Sequence, residues 1–156
     1  MRTIVCAIDF SEPSERALAH AIELAKVIGA KVLAVHAWQL PVYAVPDGLA
    51  VFGPELVSEI TTGLHRQLDE TVMRYRGHGV EVEGRLVSGS PVEAILELAE
   101  SVDAQYLVIG THGRTGVARL LIGSVAERFV RLSTIPVVVI PSRERKKQNP
   151  GEASTA

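Results

Sequence analysis

The segment Gly110-THGRTGVARLLIGSVAER-Phe129 decides how the chain is read. It follows the apolar run Gln105 to Gly110, carries glycines at 110, 113 and 123, and then opens an amphipathic pattern. A strand that ends on glycine and passes through a loop into a helix is the joint of a βαβ unit. Similar joints recur along the chain. Thr3 to Asp9 is a nearly continuous apolar run, as expected of a strand covered on both faces. Ser11 is placed to cap the helix that follows, with Pro13 in its first turn and Gly29 as its stop. Leu18, Ala21, Ile22, Ala25 and Ile28 recur between them at helical spacing.

Lys31 to Ala37 reads as a second strand. An apolar excursion rich in Pro and Gly, Trp38 to Pro54, leads to a helix over about Glu55 to Tyr75, where Leu56, Ile60, Leu64, Leu68 and Val72 step by four. Val80 to Val87 alternates apolar and polar residues, the pattern of an edge or half-exposed strand. Ser90-Pro-Val-Glu93 has the form of a capping box opening a third helix, with Ile95, Leu98 and Ala99 on its buried stripe. In the fourth helix Val125, Phe129 and Leu132 are the expected inner face, and Ile135 to Ile140 is the last strand. The alternation predicts a three-layer α/β/α domain with a five-stranded parallel sheet, Rossmann-like, of order 3-2-1-4-5. Residues 1–141 form the expected domain, and 142–156 a polar, disordered tail. The basic cluster of that tail reads as a solvated face or as a contact for an acidic partner.

Composition narrows the class. The chain has 156 residues, 47% hydrophobic and 22% charged, with net charge -2. That balance does not invite nucleic acid, and there is no apolar run of about 18 residues to span a membrane. The opening lacks the h-region and cleavage site of a signal peptide. A single cysteine, Cys6, in an apolar run forms no internal disulfide, so a reducing cytoplasm is expected. His20, His36, His65, His78 and His112 show no metal-ligand spacing and read as surface or packing residues.

Open parallel sheets bind ligands beyond the carboxyl ends of strands that flank the switch in strand order. Here those ends are Asp9 and Gly110. Gly110 would turn the chain sharply, and Gly113 would let backbone approach a ligand. Gly123 and Ser124 would place free amides and a hydroxyl at a helix start, where an anion such as phosphate is favoured. A second reading stands beside this one: Ser124 with Glu127 is also a capping box, which needs no ligand. Neither a dinucleotide fingerprint nor a P-loop is present, so Arg114, Arg119 or a metal ion would have to balance a triphosphate. Trp38, Tyr43 and Phe52 in the excursion would cover a ligand or simply pack over the sheet.

Gly110-x-x-Gly113, nine residues, then Gly123-Ser124 resembles the nucleotide-binding signature of the universal stress protein family. The opening IVCAIDFSEPSERALAHAIELA and the stretch GSPVEAILELAESVDAQYLVIG are similar too, so the likeness runs from about Arg2 to Pro141. The resemblance implies ATP, with Mg, as the ligand. It implies that Asp9 contacts the ribose, a phosphate or the bound metal, and that the backbone of Ala37 meets the adenine edge. It places Gly110 against the ribose, and Gly113, Gly123, Ser124 and Val125 around the phosphates. His112 and Arg114 lie within the signature without an assigned role. The resemblance further implies a homodimer through the strand Ile135 to Ile140 and a regulatory role in stress response with an unidentified protein partner. With Asp9 as the only evident base, hydrolysis is expected to be slow or absent. The alternatives are a weak ATPase and a dimeric interaction protein that uses no nucleotide.

Overall fold

The computed structural model describes residues 2–40, 43–45, 48–50, 53–111 and 123–141. Gly113, His112, Arg114, Arg119 and the tail 142–156 lie outside the described residues, as do the side chains of Tyr43 and Phe52.

The strand β1 (Arg2–Ala7) leads into α1 (Glu12–Ile28), β2 (Ala30–Trp38) and a short pair, β3 (Tyr43–Val45) and β4 (Gly48–Ala50). Then come α2 (Pro54–Met73), β5 (Val82–Ser88), α3 (Pro91–Ser101), β6 (Tyr106–Gly110), α4 (Ser124–Leu132) and β7 (Val137–Ile140). Five strands form one sheet of order β5-β2-β1-β6-β7, which is 3-2-1-4-5 when its strands alone are counted. All four pairings in it are parallel. The strand pair β3–β4 is a separate antiparallel ribbon inside the excursion.

The sheet is covered on both faces, as parallel sheets are. On one face Ile4, Cys6, Val32, Ala34 and Val108 pack against α1 and α2 through Leu18, Ile22, Leu68 and Val72. On the other, Val5, Leu33, Val35 and Leu107 pack against α3 and α4 through Ile95, Ala99 and Phe129. The α1 caps form as the sequence predicts: the Ser11 hydroxyl accepts from the Ser14 amide, and Gly29 closes the helix at φ 66°. Left-handed backbone of that kind costs a residue with a Cβ, which is why glycine sits there.

Two elements differ from their predicted faces. In α4 the buried residues are Ala126 and Phe129, while Val125 and Leu132 are exposed. In α2 only the C-terminal half is anchored, at Leu68, Thr71 and Val72, and Leu56 is exposed. Close approach of α2 to the edge strand β5 depends on Gly84, where a Cβ would stand 2.9 Å from Leu68 Cγ.

Cys6 is completely buried in β1, and burial pushes its thiol well above its usual range. A thiol reagent such as Ellman's should therefore titrate no sulfhydryl in the folded protein and one in denaturant. Fast labelling without denaturant would contradict this packing. No helix among the described residues is long and apolar enough to cross a membrane.

Candidate functional site

The chain leaves β1 abruptly. The last ladder bond runs from the Ile8 amide to Val35 O, at 2.8 Å. Asp9 then folds back on the start of α1, its Oδ1 accepting from the Ser11 amide at 3.0 Å and the Ser11 hydroxyl at 2.5 Å. The Asp9 amide in turn donates to the Ser14 hydroxyl at 3.3 Å. Phe10, between Asp9 and Ser11, has φ 64°, a region that residues other than glycine rarely occupy.

On the other side of the switch, β6 ends at Gly110, and Thr111 follows it. The Thr111 amide donates to Ile140 O at 2.9 Å, and the Gly123 amide donates to Thr111 O at 2.8 Å. The two ends of the glycine-rich segment are thus tied together between β6 and α4. Gly123 is the N-cap of α4 and, having no side chain, makes no capping hydrogen bond. The first intrahelical bond runs from the Glu127 amide to Gly123 O. Ser124 is therefore the first helical residue and not a cap, so the Ser124–Glu127 capping box does not form. The amides of Ser124, Val125 and Ala126 have no acceptor behind them in the helix.

Ser90 is the N-cap of α3, but its hydroxyl donates to the Glu93 carboxylate and makes no bond to the first turn's amides. That contact, with the Arg128 guanidinium of α4 beside it, holds the Glu93 carboxyl below its usual range.

These ends enclose a cavity of about 280 Å³ at the carboxyl edge of the sheet. Its lining includes Asp9, Ala37, Gly110, Gly123, Ser124 and Val125, so the structure brings together every site residue predicted from sequence that falls among the described residues. Apolar side chains complete it, chiefly Ile95, Ile109 and Phe129. The volume lies near the lower end of small-molecule pockets, about 300–1,000 Å³.

Ala37 enters through its backbone. Residues along a strand present their peptide groups to alternate neighbours. Val35 O bonds to Ile8 of the β1 segment, while Trp38 O accepts from Gly89 on the β5 side at 2.9 Å. The N–H and C=O of Ala37 therefore face the β1 side, beyond the last paired residues, Ala7 and Val35. Ala37 itself lines the cavity.

Gly110 has a different reason from the predicted one. Its φ is not in the left-handed region. A Cβ on it would stand 3.0 Å from Pro13 O, so the missing side chain lets the first turn of α1 lie directly on the end of β6.

His36, set aside in the sequence as a packing residue, also lines the cavity, and its Nδ1 lies 2.7 Å from Ile8 O. Only the strand register reveals this; no motif marks it. Among the described residues no cluster of three or more His, Cys, Asp or Glu side chains could hold a metal ion.

Known proteins agree with this architecture. The sequence profile of the universal stress protein family matches residues 1–141. Universal stress protein MJ0531 of Methanocaldococcus jannaschii is 33% identical over 147 residues, covering 93% of this chain and 85% of its own. The solved structure of MJ0577 from the same organism superposes with a TM-score of 0.75 at 26% identity, covering 92% of this chain and 97% of that one. The universal stress protein of Archaeoglobus fulgidus, solved in complex with dAMP, superposes with a TM-score of 0.61 at 28% identity, covering 89% and 96%. In sequence and in fold, this chain belongs to the universal stress protein family.

Proposed function

We propose that the protein is an ATP-binding, dimeric regulatory module of the cytoplasmic stress response, with slow or no hydrolysis. The observation that carries this reading is that Ala37 at the end of β2 and the first turn of α4 line one cavity. The Ala37 N–H and C=O match the N1 acceptor and N6 donor of adenine. The first amides of α4, with the positive end of the helix dipole, suit the phosphates. Asp9 lines the same cavity and would serve the ribose or a magnesium ion held by the phosphates. With no acidic cluster among the described residues, such an ion would keep most of its ligands from phosphate and water. The A. fulgidus complex with dAMP supports an adenine nucleotide as the ligand class.

Guanine presents a donor at N1 and an acceptor at O6, so against Ala37 both partners would be mismatched. Each buried polar group left unpaired costs about 1–3 kcal/mol. Calorimetry should therefore give an affinity for Mg-ATP at least about tenfold above that for Mg-GTP. Equal affinities, or no heat with either, would remove the nucleotide reading.

Asp9 is the only carboxylate among the described lining residues, and its Oδ1 is engaged by Ser11. A base so held is poorly placed to activate water, hence the expectation of slow turnover. Sustained phosphate release at enzyme-like rates, lost in Asp9→Asn, would make the protein an ATPase instead.

The dimer rests on β7. This strand ends the sheet, carries no charge, and leaves all four of its residues half-buried. Such an edge favours pairing with another strand. Light scattering should report a dimer at micromolar concentration, and Val138→Asp should shift it towards monomer. A monomeric parent protein would exclude this interface.

A further inference from the structure

We infer that His36 is a positioning residue for Asp9, holding the residues on both sides of it. This inference rests on the nucleotide reading of the cavity. Asp9 lies past the last ladder bond of β1, where the sheet no longer fixes the chain. Its predecessor, Ile8, accepts a hydrogen bond at O from His36 Nδ1 at 2.7 Å. A carbonyl oxygen can only accept, so Nδ1 carries the proton. Its successor, Phe10, lays its ring against the His36 imidazole, with centroids 4.4 Å apart and planes inclined by 40°. One imidazole from the neighbouring strand thus grips positions 8 and 10 and leaves 9 between them.

The grip has work to do, because Phe10 is held in left-handed backbone at φ 64°. A residue with a Cβ stays there only where its surroundings enforce it. The Phe10 ring is partly buried beside the α1-side core, and the His36 ring closes over it. That backbone turn brings the Ser11 amide and hydroxyl onto Asp9 Oδ1. His36 also immediately precedes Ala37, so the side chain that steadies the acid and the peptide groups offered to the base come from adjacent residues of β2.

Three variants separate the two contacts. His36→Ala removes both. His36→Asn can keep a donor near the Nδ1 position, and His36→Phe keeps a ring for Phe10. Calorimetry with Mg-ATP should show about a tenfold loss for His36→Ala, and partial recovery in the other two. In an Asp9→Ala background, His36→Ala should change affinity less than about twofold, because its effect passes through the carboxylate. The same loss in both backgrounds would overturn the inference.

A ligand-free measurement tests it independently. The Ser11 amide, bonded to Asp9 Oδ1, should exchange its hydrogen about tenfold faster in His36→Ala, while core amides such as Val5 are unchanged. Unaltered Ser11 exchange would overturn the inference whatever the nucleotide does. If the parent protein binds no Mg-ATP, the nucleotide reading fails and the Ser11 exchange alone decides the role of His36. Should His36→Ala not fold, His36→Asn and His36→Phe carry the same comparison.

Discussion

Phe129→Ala should destabilise the protein by about 3–5 kcal/mol, the range for removing a buried aromatic ring. Phe129 is 3% exposed and sits in the core between the sheet, α3 and α4. Its ring also lines the cavity. In α4 only it and Ala126 are buried, so the helix has little else to hold it on the sheet. The loss should appear as a fall in melting temperature of roughly 10 °C or more. Nucleotide affinity should fall as well, since the amides of Ser124 to Ala126 are aimed by the seating of this helix. A Phe129→Ala protein that melts like its parent would mean that α4 is anchored elsewhere.

Gly110→Val should be damaging too, though less so, and it distinguishes two accounts of the same glycine. Any Cβ there meets the Pro13 carbonyl at 3.0 Å, and Pro13 is in the first turn of α1, which cannot move without disturbing Ser11, Ser14 and Asp9. Overpacking of this kind costs about 1–3 kcal/mol. The ligand-free protein should therefore melt at a lower temperature. If the glycine served only to admit a ligand, Gly110→Val would leave the free protein's melting temperature unchanged and weaken binding alone.

The contrast between these two residues shows what the sequence could and could not say. That β6 ends at Gly110 was legible, because an apolar run breaks there into a polar, glycine-rich segment. Why it ends in glycine was not, since the obstructing atom belongs to a residue ninety-seven positions earlier, brought near only by the fold. The caps of α1 were readable because Ser11 and Gly29 act on their own neighbours. The inner face of α4 was not. Nine residues contain two and a half turns, and among their apolar members a small Ala126 looks less like a core residue than Val125 or Leu132. The ribbon β3–β4 escaped for a similar reason: strands of three residues are too short to show a period. At the site, Asp9 stood out as an acid at a strand end and Ala37 through the family resemblance, whereas the place of His36 in the lining follows only from register.

The two rims of the sheet are unlike. On β5 the exposed Arg85, and Glu83 paired with Lys31 of β2, stud the border with charge, whereas β7 is uniformly aliphatic. Addition of strands is therefore favoured on one side only. Two copies joined along β7 would turn their charged borders outward, and polymerisation would have no further place to begin. In the proposed β7 dimer the same asymmetry would favour a closed pair over fibre growth, a safeguard written into which strand comes last.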